Sequence, residues 1–466
     1  MPVNSFDDYP MSWRPRLEKK GRTLYKELAD TLEKDIRSGK LMPGTKMPPM
    51  RELADYLDIN VSTVLKAFRQ CEMNGLLSSK AGSGTFVPYD VMVSGRLVED
   101  ASAIAPDEGI IDMGATVPEP SANDTLMRMM REIMAEEGME RLFGLSSASE
   151  AAWQKTAAAV LMERCGKTTH PQNILTTQGG QNAITGLLAS MFHRGDRIAV
   201  EDHTYPGIKS AAAMFGLHLV PVPADDRGMI PEALRLACGR DKIRGVYLVT
   251  ATNNPTTVTM PEDRRKEIAD IIENEDCFLI EDGTYQLMKP GMKSMSEMIP
   301  GRSAYILTIS KVIAPGMRIA YLALPEEYVK TVSDTLYSIN ISAVPLMAEL
   351  AARVAAAGEF ENILENHRKN TIKRNAVVGR YLPPQFCRGG GSDIFRWLIL
   401  PSGMSGTRFA QLCEHRGVIV YPAEKFAVGN TKPLPAVRLS ICSPGSAEDL
   451  EKGVRVVSEL MNEKFV

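Results

Sequence analysis

One lysine stands where an apolar run ends. In YILTISKVIAPGMRIAYL, residues 305–322, the β-branched stretch stops at Ser310 and Lys311 follows at once. Pro315-Gly316 and Arg318 come next, before a second apolar run. Side chains at the carboxyl ends of parallel strands point into the crevice where ligands bind. A lysine partly desolvated there has a lowered pKa and becomes a nucleophile toward aldehydes.

The aldehyde cofactor suited to such a lysine is pyridoxal phosphate (PLP). It also requires a phosphate cradle, an acid at the pyridine nitrogen, a ring-stacking group and a donor to the phenolic oxygen. The chain offers each. TTQGGQNAITGLL places Gly179, Gly180 and Gln181 before an apolar helical run, where a helix N-terminus attracts phosphate. RIAVEDHTYPG ends a strand with Tyr205, which can lie on an aromatic ring. TATNNPTTVT ends another with Asn254-Pro255, and Asn254 can donate to a phenolic oxygen. CFLIEDGTYQ drives an apolar strand into Glu281-Asp282, with Tyr285 three residues beyond Asp282 to share that oxygen. Arg318 supplies a second cation for the phosphate. Each feature alone is an ordinary turn or loop; their order around a strand-end lysine is not.

The elements that must position these residues follow from pattern. At 466 residues the chain is too long for one core. Hydrophobic content of 44% and charged content of 24% are those of an ordinary soluble protein. No apolar run approaches a membrane span, and the N-terminus is not a secretory signal. Seven scattered cysteines, without a CxxC pair, read as reduced buried thiols of a cytoplasmic protein, and six histidines lack metal-ligand spacing. Net charge is -3, but residues 1–88 carry 14 Lys+Arg against 11 Asp+Glu, and the remainder 40 against 46. A mildly basic head on an acidic body points weakly to DNA.

In the head, Leu24, Leu28, Leu32 and Ile36 recur every four positions, one face of a helix. MRELADYLD starts a second helix after two prolines. Asn60 caps a third, with Val64, Phe68 and Met73 facing inward. LLSSKAGSGTFVP is two short strand-like runs around Gly82-Ser83-Gly84, a β-hairpin wing. Residues 89–110 lack a clear period and read as a linker. From about 111, β-branched runs such as RIAVED, GVYLVTAT, CFLIED and AYILTIS alternate with helices, the pattern of a mostly parallel α/β sheet. Beyond about 340, long helices and the runs IFRWLIL and AVRLSI form a smaller α+β unit.

The order G-G-Q, Y-P-G, N-P, D-x-x-Y, S-K-x-x-x-P-G-x-R is similar to fold-type I PLP proteins, the aminotransferase family, over residues 111–466. The resemblance implies a seven-stranded large domain (about 150–335) and a small domain (about 340–466). It implies that Lys311 binds the cofactor as a Schiff base and Asp282 pairs its pyridine nitrogen. Asn254 and Tyr285 would face the phenolic oxygen, and Tyr205 would stack on the ring. Gly180, Gln181, Thr308, Ser310 and Arg318 would hold the phosphate. Arg438 in AVRLSIC would grip a substrate or effector α-carboxylate. The chain departs from that pattern at Thr257, where the family often has glycine, at Ala320-Tyr321, where it often has Gly-Tyr, and at Phe143, near where it often has tyrosine.

Residues 22–88 resemble a GntR-type winged helix-turn-helix. That resemblance implies DNA contacts from Arg51, Asn60, Ser62, Thr63 and Lys66, and from Ser83, Gly84 and Thr85 on the wing, with the third helix in the major groove. Pro49 replaces a usual capping serine and Val61 a frequent arginine. The combined architecture, 1–88 head, 89–110 linker and 111–466 body, resembles the MocR subfamily of bacterial transcription regulators. It implies a homodimer, often head-to-tail, PLP, a double-stranded DNA operator, and an amino acid or related amine as effector acting through exchange at Lys311. Two alternatives stay open: a working aminotransferase with an accessory head, and a sensor of PLP level controlling cofactor synthesis.

Overall fold

The computed structural model describes residues 11–17, 24–38, 40–41, 43–80, 84–88, 109–144, 152–401 and 403–463. Helices α1 (Leu24–Arg37), α2 (Met50–Leu57) and α3 (Val61–Met73) precede strands β1 (Ser78–Lys80) and β2 (Gly84–Phe86), which pair antiparallel as the wing. Leu28, Leu32 and Ile36 pack with Leu53, Val64 and Phe68 around Trp13, whose indole donates to Asp35 at 2.8 Å. Asn60 caps α3 by accepting from the Ser62 amide at 2.8 Å. Met73 does not face inward: it is 70% exposed, and Cys71 fills the core instead. The spacing 64, 68, 71 keeps one helix face, whereas 73 lies two positions further round. The linker expected at 89–110 lies outside the described residues up to 108, as does Ser83.

The body is built on a seven-stranded sheet: β3 (Ile174–Thr177), β4 (Arg197–Glu201), β5 (His218–Val222), β6 (Ile243–Leu248), β7 (Phe278–Asp282), β8 (Ser303–Thr308) and β9 (Ala320–Ala323). Their spatial order is β3-β9-β8-β7-β6-β4-β5, with β9 alone antiparallel to its two neighbours. The central strands are buried on both faces, so they read as continuous apolar runs rather than alternating ones. Helices α4 (Gly180–Met191) and α5 (Pro206–Phe215) follow β3 and β4 directly.

The smaller unit has an antiparallel sheet of β10 (Cys387–Arg388), β11 (Phe395–Ile399), β12 (Tyr421–Pro422) and β13 (Ala436–Ser440), in the order β10-β11-β13-β12. Ile111–Asp112 pairs in parallel with Val418–Ile419, so the start of the body is anchored on this unit. Small and large units also meet at Asp202–Thr204, which pairs with Phe426–Val428 through Thr204 N–H to Phe426 O (3.0 Å) and Val428 N–H to Asp202 O (3.1 Å). The fully buried Lys209 of α5 clamps the same segment by donating to the carbonyls of Lys425 and Ala427. Two residues past Val428, Asn430 donates to the hydroxyl of Ser78 on the wing. All seven cysteines are free and buried. Among the described residues no helix is long and apolar enough to cross a membrane, and no group of His, Cys, Asp or Glu could hold a metal.

Candidate functional site

A cavity of about 120 Å³ opens at the carboxyl ends of the central strands. Strand direction explains its lining: β7 ends in Asp282, β8 in Thr308 with Ser310 and Lys311 beyond it, and α4 begins there with Gly180 and Gln181. Tyr205, Asn254, Tyr285 and Arg318 complete the set. Ten of the twelve body residues expected from the sequence thus share one wall. The other two stand behind it. Gly179 (φ 85°) precedes α4 with the Arg318 guanidinium so close that a Cβ there would lie 2.6 Å from its nitrogen. Arg438 sits behind Asn254.

Lys311 is half-buried, and its amine donates to the Thr116 carbonyl at 2.6 Å and to the Thr116 hydroxyl at 3.1 Å. Burial, then the charges of Arg438 and Arg318, lower its pKa to about 8, against the opposing pull of Asp282. The Asp282 carboxyl is pushed up by burial but accepts from the Tyr247 hydroxyl at 2.7 Å and from the Thr284 amide at 3.0 Å and hydroxyl. Glu281 points to the opposite face, as strand alternation requires, and accepts from Thr250 and the amides of Met295 and Ser296. This separates the paired acids: only Asp282 faces the cavity.

Arg438 donates to Asn254 Oδ1 at 2.6 Å and to the Gly114 carbonyl. Its guanidinium carbon lies 5.0, 5.1 and 5.6 Å from the ring centres of Phe426, Tyr421 and Phe395. With Asn254 Oδ1 committed to Arg438, its amide hydrogens are aimed toward Tyr285, whose hydroxyl lies 3.5 Å away. Burial pushes the Tyr205 phenol up to about 12, and its hydroxyl donates to Gln181 Oε1 at 3.2 Å.

The residues fit pyridoxal phosphate. The Ser310 hydroxyl is buried and has no hydrogen-bond partner among the described residues, although buried hydroxyls are nearly always satisfied. It shares the cavity wall with the opening residues of α4, whose first amides have no intrahelical acceptor, and with Arg318. A phosphate satisfies all three. Thr116, Thr284 and Tyr247 were not legible as site residues: threonine is common, and Tyr247 lies inside an apolar strand.

In the head, Arg51, Ser62 and Lys66 are exposed, and Thr63 is partly so. Asn60 is exposed, but its oxygen is committed to the cap. Gly84 is exposed at the wing with φ 107°. Thr85 departs from expectation: it is buried, with its hydroxyl 2.9 Å from that of Ser79, because successive strand residues face opposite sides. Phe143 is 71% exposed at the end of a short 3-10 turn. Thr257 adopts φ 66°, the left-handed conformation that explains why glycine suits this position.

Comparison with known proteins agrees with both halves. Residues 109–457 match the family described as aminotransferase class I and II, and residues 24–87 match bacterial regulatory proteins of the gntR family. The chain is 44% identical over 464 residues to the uncharacterized HTH-type transcriptional regulator YdeF of Bacillus subtilis (strain 168), covering 99% of this chain and 100% of that one. It is 25% identical over 369 residues to the HTH-type pyridoxine biosynthesis transcriptional regulator PdxR of Corynebacterium glutamicum, covering 76% and 77%. Among solved structures, an archaeal alanine:glyoxylate aminotransferase superposes with a TM-score of 0.71 at 24% identity, covering 79% of this chain and 94% of that one. That likeness concerns the fold.

Proposed function

Because the chain belongs to the aminotransferase class I and II family and carries a gntR-family DNA-binding head, the arrangement of the MocR subfamily, we propose that its PLP site is the sensor that controls its DNA binding. The ligand class is an amino compound, and an amino acid above all. PLP supplies, when bound, an aldehyde that condenses with primary amines and a ring that withdraws electrons. The chain's own residues do the rest. Lys311, with its pKa lowered to about 8, offers an amine that an incoming amine can replace. Asp282 would hold a proton at the ring nitrogen, Tyr205 would cover the ring, and Ser310 and Arg318 would hold the phosphate. Arg438 is the cation for a carboxylate, which would exchange with the Gly114 carbonyl now bound there.

The observation that carries the sensory reading is the segment Phe426–Asn430. At one end Phe426 lies on Arg438; in the middle the segment is bonded beside Tyr205; at the other end Asn430 holds the wing through Ser78. A ligand that engages Arg438 differently from the Gly114 carbonyl has a differential contact with the element that touches the head, which is what coupling requires. The functional division is head 1–88, linker 89–110 and body 111–466. The active form is a cytoplasmic homodimer, head-to-tail, whose two heads read repeated half-sites.

A second reading, a working aminotransferase, is favoured by the complete Lys311–Asp282–Arg318 set. One experiment separates the two. The full-length protein with PLP is titrated with a panel of amino acids while the visible spectrum, keto-acid release and affinity for its own upstream DNA are followed. A stable spectral change with altered DNA affinity and no keto acid supports the sensor. Keto-acid turnover with unchanged DNA affinity rejects it. Affinity that follows PLP occupancy alone makes PLP itself the effector.

A further inference from the structure

We propose that Tyr247 and Thr284 are positioning residues that commit Asp282 to act only as a hydrogen-bond acceptor, and so fix the ring nitrogen of bound PLP as the donor. This rests on PLP occupying the cavity described above.

An ionised carboxylate offers about four acceptor positions and no donor. On Asp282 three are taken from within the chain. The Tyr247 hydroxyl, wholly buried on the neighbouring strand β6, donates to Oδ2 at 2.7 Å. The Thr284 amide donates to Oδ1 at 3.0 Å, and its hydroxyl donates to the same oxygen. Each partner arrives with a proton. A protonated Asp282 would meet a Thr284 amide that can only donate and would have to turn a hydroxyl round to place its own proton; an ionised one satisfies all three donors and keeps one acceptor position for the cavity. A ring nitrogen facing it must then carry the proton.

The partners come from two elements. Tyr247 lies beside Ile280 in the β6–β7 register, so its ring crosses under the end of β7, while Thr284 folds back in the turn after it. The other ionisable groups that bear on Asp282 are Lys311, which favours its charged form, and the phenols of Tyr205, Tyr285 and Tyr305, which are neutral. Burial works against the charge. The donors therefore decide which side of the pair holds the proton, and Tyr247 is the one that sequence spacing does not suggest, 35 residues from the acid.

The test loads full-length protein with PLP labelled with nitrogen-15 in the ring and follows that nitrogen by NMR from pH 6 to 10. In the unaltered protein the nitrogen is protonated across the neutral range. In Tyr247→Phe, and separately in Thr284→Val, deprotonation moves down by about 1–2 pH units, the size of one hydrogen bond to a charged group. A purely structural role would lower thermal stability without moving this titration. If both variants bind PLP and titrate like the parent, the proposal is wrong. If Asp282→Asn also leaves the nitrogen of bound PLP protonated, the pairing of Asp282 with the ring fails instead, and if the label shows free PLP in every protein, the cofactor reading beneath it fails.

Discussion

The amine of Lys311 is bonded to both polar oxygens of Thr116, 195 residues away, at 2.6 and 3.1 Å. Two residues before Thr116, the Gly114 carbonyl accepts from Arg438. One short strap, Gly114–Thr116, therefore occupies both the proposed cofactor lysine and the proposed carboxylate-binding arginine. The strap continues from Ile111–Asp112, which is paired with the small unit.

The lowered pKa of Lys311 has a measurable direction. Neutral amine attacks an aldehyde and ammonium does not. Below pH 8 the neutral fraction of a group with a pKa of about 8 falls about tenfold per pH unit, and above it the fraction saturates. Capture of added PLP by cofactor-free protein, followed by absorbance, is expected to rise from pH 6 and level off above 8. Capture that keeps rising to about pH 10, as for an ordinary lysine, would refute this. Lys311→Ala should give no covalent band at any pH.

Gly179→Ala should damage the phosphate cradle. The new Cβ would sit 2.6 Å from an Arg318 nitrogen, at a φ of 85° that non-glycine residues avoid. PLP retention on dialysis should drop about tenfold or more, from displacement of one charged contact. Retention equal to the parent would mean that Arg318 does not face the phosphate.

The head separates contact from stability. Lys66→Ala and Arg51→Ala should weaken operator binding and lower the slope of log affinity against log salt by about one unit each. Asn60→Ala should instead cost about 1 kcal/mol of head stability in thermal melts, because its side chain caps α3. A variant of Asn60 that melts normally yet changes base preference would reverse that assignment.

Asn430→Ala removes the wing contact without touching the cavity. Intrinsic DNA affinity and the PLP spectrum should stay unchanged, while the effector's influence on DNA affinity, about 5–150-fold in systems of this kind, should shrink toward one. Undiminished coupling in Asn430→Ala and Ser78→Ala would exclude this route.

Glu201, at the end of β4, is wholly buried beside Asp202 and Asn253, and burial raises its pKa to about 8. In the unfolded chain it ionises near pH 4.5, so between about 4.5 and 8 the folded state binds the extra proton and stability falls as pH rises. Glu201→Gln lacks that proton. Its melting temperature should improve relative to the parent as pH goes from 5 to 8; a constant difference would show that the acid is ionised when folded.

The site was legible where chemistry coincides with strand ends. Lys311, Asp282, Asn254 and Tyr205 each follow an apolar run, and parallel strands bring their carboxyl ends together however far apart they lie in sequence. The helical spacing of Leu28, Leu32 and Ile36 disclosed the head's core in the same way. Illegible were residues whose role depends on what crosses them. Thr116 meets Lys311 only because the strap is pinned to the small unit, and Tyr247 meets Asp282 only through strand register. Thr85 could be read as wing but not as inward-facing, since a one-residue change of register reverses its side. Met73 failed because the apolar face of α3 passes through Cys71, a residue not counted as core.

Val61, 41% exposed at the first position of α3, carries no hydrogen-bonding group into the face that the winged-helix arrangement presents to a duplex. Guanine, with its acceptor-only edge, has nothing to gain from it. The feature of the major groove that matches an isopropyl group is the C5-methyl of thymine. If α3 meets a duplex through this face, uracil in place of thymine at that step should weaken binding although no hydrogen bond changes.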